Sequence, residues 1–109
     1  MTCDTVPFFV TDWANVPETE HPGETGTAYW RTIQAGNTRV RVVRYSTGYR
    51  ADHWCTRGHV LFVLEGELIT EINDGSSYTV SAGQSYQVSN GVSPHRSAAP
   101  RGAVLFIVD

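Results

Sequence analysis

Two histidines and a cysteine stand close together in the segment DHWCTRGH, residues 52–59. His53 and Cys55 are two positions apart, and side chains at i and i+2 of a β-strand point to the same face. Gly58, which tolerates a positive φ, favours a turn that reverses the chain and sets His59 beside the first two side chains. Imidazole and thiolate are ligands of zinc and other transition metals. The spacing therefore predicts a metal site, with polar residues at the mouth of a hairpin as the alternative.

The composition limits both the chemistry and the partners of the chain. Its 109 residues suit one domain around a single core. Eleven acidic residues, eight arginines and no lysine give a net charge of −3, so we expect no basic surface for nucleic acid. The lack of lysine excludes Schiff-base chemistry and a lysine general base. Catalysis therefore has to use His, Cys, Asp, Glu, Tyr or a bound ion.

The apolar runs and the cysteines predict the cellular compartment. The longest apolar run near the amino terminus, residues 6–10, is too short for a signal peptide or a membrane span. Cys3 and Cys55 make a poor disulfide framework, and a thiol near histidines in a reducing compartment more often indicates a metal or reactivity. We expect a cytoplasmic protein that has no membrane partner.

The distribution of apolar residues predicts one domain over residues 1–109, with a lead-in segment at 1–28 and a β-barrel at 29–109. No helical stripe follows residue 28, whereas short alternating runs are separated by Gly and Asn turns. Such a series is typical of an antiparallel sandwich or a small barrel. The predicted strands are residues 29–34, 38–46, 59–64, 68–72, 78–80, 85–88, 95–98 and 103–108.

Two stretches, HVLFVLEGEL and SAGQSYQVSNGVSPH, resemble the two conserved motifs of the cupin family. The first cupin motif is G-x5-H-x-H-x3-4-E-x6-G. Counted back from Gly66, His59 stands at its glutamate, Cys55 at its second histidine and His53 at its first. The second motif, G-x5-P-x-G-x2-H-x3-N, matches His95 at its histidine with one extra residue before it, and its terminal asparagine is missing.

This resemblance covers about residues 40–108 and implies an all-β fold, a small antiparallel double-stranded β-helix or jelly-roll barrel. More narrowly, the sequence resembles the small single-domain cupins named for a DHCW motif, which also carry a lead-in like ETGTAYW and end near LFIVD. No reaction comes with that name. The resemblance also implies the ligand set, which is His53, Cys55, His59 and His95.

The implied ligands depart from those of most cupins, which offer three histidines and a glutamate to iron, manganese or nickel. Here a thiolate and a third imidazole replace an imidazole and the carboxylate. Softer ligands shift the preference toward zinc, with nickel, iron, copper or manganese as alternatives. Four protein ligands would close a tetrahedral site, whereas a catalytic zinc keeps a position for water. Cys55 as an unligated core thiol is a further alternative, because free cysteine packs like a small hydrophobe.

Barrel closure predicts that Leu61, Val63, Val40 and Val42 fill the interior and that Phe62 and Leu64 point outward.

An arginine at the barrel mouth can hold a substrate carboxylate in a bidentate fork, although a solvated surface charge is the alternative interpretation of each arginine. Of Tyr86 and Gln87, whichever faces inward lines the pocket. Asp52 is disfavoured as an acceptor for a ligating histidine by the alternation of side chains. The pocket candidates are Tyr86, Arg41, Trp54 and Arg96.

Two functions fit these features. One is a metal-dependent enzyme whose ion acts as a Lewis acid on a small polar metabolite; the other is a non-catalytic cupin with a closed structural ion that binds or senses a small ligand.

His21, in the lead-in, is expected to be structural or solvent-facing. The stretch 5–30 has too few residues to form its own layer, so we expect its apolar anchors to pack across a two-fold partner, in a homodimer, or onto the barrel itself. These anchors are Phe8, Phe9, Trp13 and Trp30.

Overall fold

The computed structural model of the chain describes residues 5–109; Cys3 lies outside the described residues. Within this range a 3-10 turn at Trp13–Asn15 is followed by nine β-strands, which confirms the all-β class. The strands are β1 (Glu18–Pro22), β2 (Thr27–Ala35), β3 (Thr38–Tyr45), β4 (Tyr49–Arg50), β5 (His59–Ile72), β6 (Ser77–Ser81), β7 (Ser85–Val88), β8 (His95–Ala99) and β9 (Ala103–Val108).

The strands form one curled antiparallel sheet in the order β1-β2-β3-β9-β5-β8-β4, and β6 and β7 also pair with β5. The long strand β5 belongs to both halves of the sheet. Its first part pairs with β9 and β7, and its second part pairs with β6 and β8. A bulge between Val63 and Glu65 and a positive φ of 79° at Gly66 bend β5 between these parts. The bend lets the sheet close into the predicted jelly-roll barrel.

The core lies between the two halves of the sheet and follows the alternation of side chains. Leu61 and Val63 of β5 are 2% and 0% exposed, whereas Phe62 and Leu64 are 40% and 44% exposed. The inward and outward positions predicted for β5 are therefore confirmed. The other core residues are Ala28, Val43, Leu68, Val80, Ala99, Ala103, Leu105 and Ile107.

The prediction for β3 is wrong, because its interior positions are Arg41 and Val43 rather than Val40 and Val42. In the register with β9, Arg41 lies opposite the buried Ile107. Val40 and Val42 lie on the outer face and are only partly buried. An arginine takes the inward position because its Nη2 lies 3.3 Å from the buried Asp109 carboxylate, which compensates part of its charge.

Of the predicted lead-in anchors, Trp13 packs on the barrel's own outer face, whereas Phe8 is 97% and Phe9 45% exposed. Trp13 meets Phe106 of β9 edge-to-face, with ring centroids 6.1 Å apart. Arg31 Nη1 donates to the carbonyl oxygens of Trp13 and Val16. The following residues form β1, which pairs with β2 at one edge of the sheet. No helix in residues 5–109 is long and apolar enough to cross a membrane.

Candidate metal centre

The fold brings three of the four predicted ligands, Cys55, His59 and His95, to one end of the barrel. His59 begins β5 and His95 begins β8. Cys55 lies in the loop before β5, where its backbone N–H donates to the His95 carbonyl at 2.7 Å and its carbonyl accepts from the His95 N–H at 3.0 Å. One ligand atom from each residue lies within 4.8 Å of the others. The three side chains can therefore reach one ion.

The imidazole rings of His59 and His95 each have one nitrogen near a hydrogen-bonding group and a second nitrogen that is available to a metal. His95 Nδ1 lies 3.1 Å from the carbonyl oxygen of Ser93. Because a carbonyl oxygen only accepts, Nδ1 carries the proton, and in the neutral ring the lone pair is on Nε2. His59 Nε2 lies 2.9 Å from the Tyr86 hydroxyl. The remaining atoms, His95 Nε2 and His59 Nδ1, are buried and make no hydrogen bond of ordinary geometry within residues 5–109, although the Cys55 thiol lies close enough to the His95 ring to interact with it.

These two nitrogens fit a metal ion. A buried polar atom without a partner costs about 1–3 kcal/mol. Metal-ligating histidines ordinarily donate their other N–H to a carbonyl or similar acceptor, which fixes the tautomer and the ring orientation. His95 has this arrangement with Ser93, and His59 has the hydroxyl of Tyr86 in the equivalent place. The donor set therefore matches the ligand chemistry predicted from the sequence.

The charges in the cluster favour ligation as well. A hydrogen-bonding interaction with the His95 ring lowers the pKa of the Cys55 thiol, and this outweighs the opposing effect of partial burial. Cys55 in turn raises the pKa of His95. Burial, and then the nearby His95, lowers the pKa of His59 to about 4. At neutral pH, therefore, His59 is neutral and Cys55 ionises more readily than a free thiol, as metal binding requires.

His53 lies apart from the other three. Its side chain is 76% exposed, and its Nδ1 is 2.6 Å from the Asp52 carboxylate, although the alternation of side chains disfavours that contact. Residues 51–58 form no regular strand and have only an isolated bridge at Cys55, so the i and i+2 rule does not apply to them. His53 nevertheless lines the same cavity as the triad.

Gly58 shapes the loop that carries Cys55, but by close approach rather than by a positive φ. A Cβ at this position would lie 2.5 Å from the backbone nitrogen of Asn90. The Gly58 N–H donates to Asn90 Oδ1 at 2.6 Å, and the Gly91 N–H donates to the Thr56 carbonyl at 2.8 Å. The ligand loop is thereby held against the loop that precedes His95.

A cavity of about 370 Å³ opens beside the triad, a volume within the range of small-molecule sites. Tyr86 faces inward and Gln87 is exposed, which decides between the two. Trp54 is 40% exposed at the mouth, with the Arg96 guanidinium 4.6 Å from its ring centroid. All four pocket candidates line this cavity, namely Tyr86, Arg41, Trp54 and Arg96.

The cavity also contains the buried carboxylate of Asp109, a residue that the sequence analysis did not predict to lie there. Its side chain is 1% exposed and is reached by Arg39, Arg41 and Arg57. Burial alone would raise the pKa of Asp109, but the three guanidinium groups together hold it below the ordinary value. Asp109 is brought there by the pairing of its backbone with that of Arg39, and local sequence carries no signal of this long-range register.

His21 takes a structural position, as expected. Its ring stacks on Trp30 with centroids 3.7 Å apart, and its Nε2 lies 2.8 Å from the Thr19 hydroxyl. Trp30 in turn lines the cavity.

Solved structures share this architecture. A RmlC-like cupin from Shewanella frigidimarina is 18% identical and superposes with a TM-score of 0.75, over 95% of this chain and 91% of its own. Ectoine synthase from P. lautus is 18% identical, with a TM-score of 0.72 over 93% of this chain and 76% of its own.

A structure of Fe(II)-HppE with an alternative substrate is 17% identical, with a TM-score of 0.75 over 94% of this chain and 60% of its own. No protein-family model matches the sequence. No curated protein is significantly similar to it. At these identities the structural likeness concerns the fold.

Proposed function

Because the chain has the fold of the cupin superfamily, we propose that it is a metal-dependent enzyme acting on a small polar metabolite. Cys55, His59 and His95 hold the divalent ion, and the metabolite binds in the adjoining cavity. Two solved structures that share the fold support this proposal. One is ectoine synthase, an enzyme, and the other is Fe(II)-HppE, which contains iron and an alternative substrate. The reaction itself is left open.

One observation carries the proposal, which is that buried nitrogens of His59 and His95 lack a well-formed hydrogen bond and lie next to the Cys55 thiol. A cluster held together only by packing would leave His59 Nδ1 unsatisfied. A bound ion satisfies both at once, and its binding free energy adds to the stability of the fold.

The number of ligands favours an enzyme over a structural site. Three protein ligands leave at least one coordination position for water or substrate, which is the arrangement of catalytic zinc sites. When bound, the ion supplies Lewis acidity toward an oxygen atom of the metabolite. Tyr86 orients His59 through its hydroxyl, and Ser93 orients His95 through its carbonyl.

Zinc is the proposed ion, because two imidazoles and a thiolate form a comparatively soft donor set. Ferrous iron is the second candidate, since it is the ion named for HppE, which shares the fold. Elemental analysis of protein purified without added metal distinguishes these ions from each other and from nickel, copper and manganese.

A closed structural site is the competing function, and the position of His53 is what favours it. A closed site would need His53 to turn its exposed ring toward the triad as a fourth ligand, and His53 lines the same cavity. Asp52 opposes this change, because it already holds the His53 ring.

The test is the metal content of single variants. We expect about one ion per chain in the wild type and a sharp loss in His59→Ala, His95→Ala and Cys55→Ser, together with lower thermal stability. His21→Ala is the matched control, because His21 lies outside the triad, and it should keep its metal. Full metal content in all three triad variants would refute the proposed site.

The variant His53→Ala separates the two functions. An enzyme site of three ligands keeps its ion without His53, and a closed site of four ligands loses affinity. Retained metal in His53→Ala therefore supports the enzyme, whereas metal loss equal to that of His95→Ala supports the structural ion.

We also propose that the chain is a cytoplasmic homodimer. The thiol of Cys55 beside two histidines suits a reducing compartment. Several large apolar side chains on the outside of the barrel and in the lead-in are exposed, and a second copy would cover them.

A further inference from the structure

One wall of the cavity, formed around Asp109, carries more positive than negative charge. Arg39 binds Asp109 with two hydrogen bonds of 2.9 Å each. Arg41 Nη2 and Arg57 Nε lie 3.3 Å and 3.2 Å from the same carboxylate. Three guanidinium groups thus share one side-chain carboxylate, so positive charge exceeds negative charge among these side chains. The chain as a whole has a net charge of −3, so the sign of this local excess is opposite to that of the whole chain.

Arg96, a further arginine of the cavity, does not contribute to this excess. Its Nη2 lies 2.9 Å from the Glu71 carboxylate, which compensates its charge. The uncompensated charge is therefore concentrated on the side where Asp109 lies.

Arg41 is the most deeply placed of the three guanidinium groups. Its side chain is 7% exposed, and its Nε is buried without a partner among the described residues. Its guanidinium lies 4.4 Å from the centroid of the Trp30 ring, which fixes its plane. A buried charge is costly unless it is paired and hydrogen-bonded. The carboxylate available to it is already bound in a bidentate fashion by Arg39, so Arg41 is incompletely compensated.

Arg57 supplies a second guanidinium at the edge of the cavity. Its side chain is 53% exposed, so it can reorient toward a ligand at little cost. It follows Cys55 by two positions, and both residues line the cavity with Arg41. One small molecule can therefore contact the arginine wall and the triad together.

We propose that the cavity binds a small organic anion, whose carboxylate is held by Arg41 and Arg57 while the rest of the molecule faces Cys55, His59 and His95. A planar carboxylate matches the planar, multidentate donor set of a guanidinium group. The inference names the class of metabolite and rests on the proposed function only in calling that anion the substrate. A resident divalent ion would strengthen the attraction by adding positive charge.

The test compares succinate with its neutral isostere succinamide, by isothermal titration calorimetry on the protein as purified. We expect the wild type to bind succinate and not succinamide. A hydrogen bond between charged groups contributes about 1.5–3 kcal/mol, so Arg41→Gln and Arg57→Gln should each weaken succinate binding roughly 10- to 100-fold. Arg44→Gln is the control, because it removes the same charge from an exposed position of the same strand. Its succinate affinity should equal that of the wild type.

Equal binding of succinate and succinamide by the wild type would overturn the proposal, and so would unchanged succinate affinity in both Arg41→Gln and Arg57→Gln. Arg57→Gln keeps the test valid if the buried Arg41 proves necessary for folding. Tighter binding of inorganic phosphate than of succinate would overturn the assignment to a carboxylate. Metal content is measured on the same samples. Protein that holds no metal yet binds succinate through these arginines would refute the proposed enzyme and support this inference.

Discussion

Cys55 is the residue whose reactivity reports most directly on the site. It is half-buried, its backbone is bridged to that of His95, and its pKa lies below that of a free thiol because His95 is adjacent. Without a metal, the sulfur is an accessible nucleophile that is readily ionised. With a metal, ligation engages the sulfur lone pair and shields it from reagents.

We therefore predict that alkylation of Cys55 depends on the metal. A Cys3→Ala background leaves a single thiol to follow by mass spectrometry. Iodoacetamide should spare Cys55 in the metal-bound protein and modify it after treatment with a chelator, and zinc added back should restore the protection. Rapid labelling of the metal-bound form would instead indicate a nucleophile beside an ion held by the histidines. No labelling in either form would indicate an inert thiol, and both results contradict ligation.

Which site residues are predictable depends on whether they lie in regular strands. Tyr86 and His95 lie in β7 and β8, where the alternation of side chains holds, and both face the cavity. His53 lies in an irregular loop, so the rule that grouped it with Cys55 fails there. Asp109 enters the cavity only through the pairing of β3 with the end of the chain's last strand, a register that no local pattern encodes. The sequence therefore indicated the Cys55, His59 and His95 cluster better than the charged side chains around Asp109.

Among the elements, the strands that were predicted are those with alternating apolar residues and clear turns. Two were missed. β1 has the sequence ETEHP, which lacks an apolar face, and β4 has only two residues. β3 was found but assigned the wrong face, because its interior carries Arg41, which is paired with Asp109. Hydrophobic alternation fails on a strand whose inward face carries a paired charge.

The bend in β5 gives a prediction at this scale. Gly66 and Gly75 have φ angles of 79° and 96°, so alanine is strained at either position. A Cβ at Gly66 would also lie 2.6 Å from the Gly102 carbonyl oxygen, whereas nothing lies within 4 Å of a Cβ at Gly75. We expect Gly75→Ala to lower the free energy of unfolding by about 1–2 kcal/mol. Gly66→Ala should lose roughly 1–3 kcal/mol more, because its backbone has to shift.

Urea denaturation of the two variants and the wild type measures this difference. Both φ angles are positive and within 17° of each other, at 79° and 96°, so the conformational costs are similar and the excess loss in Gly66→Ala reports the close approach of β5 to the turn before β9. Equal losses in the two variants would show that the bend tolerates a side chain.

At the scale of the whole molecule, polarity is distributed unusually over the barrel. The inner face near the mouth carries arginines and histidines, whereas the outer face of β5 and β9 carries Phe62, Leu64 and Phe106. Phe62 lies directly opposite Phe106 in the register of these strands, and Phe106 in turn contacts Trp13. The lead-in adds Phe8 at 97% exposure and Val10 at 86% exposure. The chain thus presents apolar surface that a single copy leaves in water.

We predict that a second copy covers this face, so that the protein sediments as a dimer at micromolar concentration. Burial of a phenyl ring contributes about 1.5–3 kcal/mol, and two-fold symmetry counts each side chain twice, so Phe62→Ser should raise the dimer dissociation constant roughly 100-fold or more. Tyr78→Ser is the control, because Tyr78 is 59% exposed on β6, away from this face, and it should remain dimeric. A monomeric wild type in analytical ultracentrifugation would contradict the assembly. A dimer that resists Phe62→Ser and dissociates in Tyr78→Ser would move the interface to the other half of the sheet.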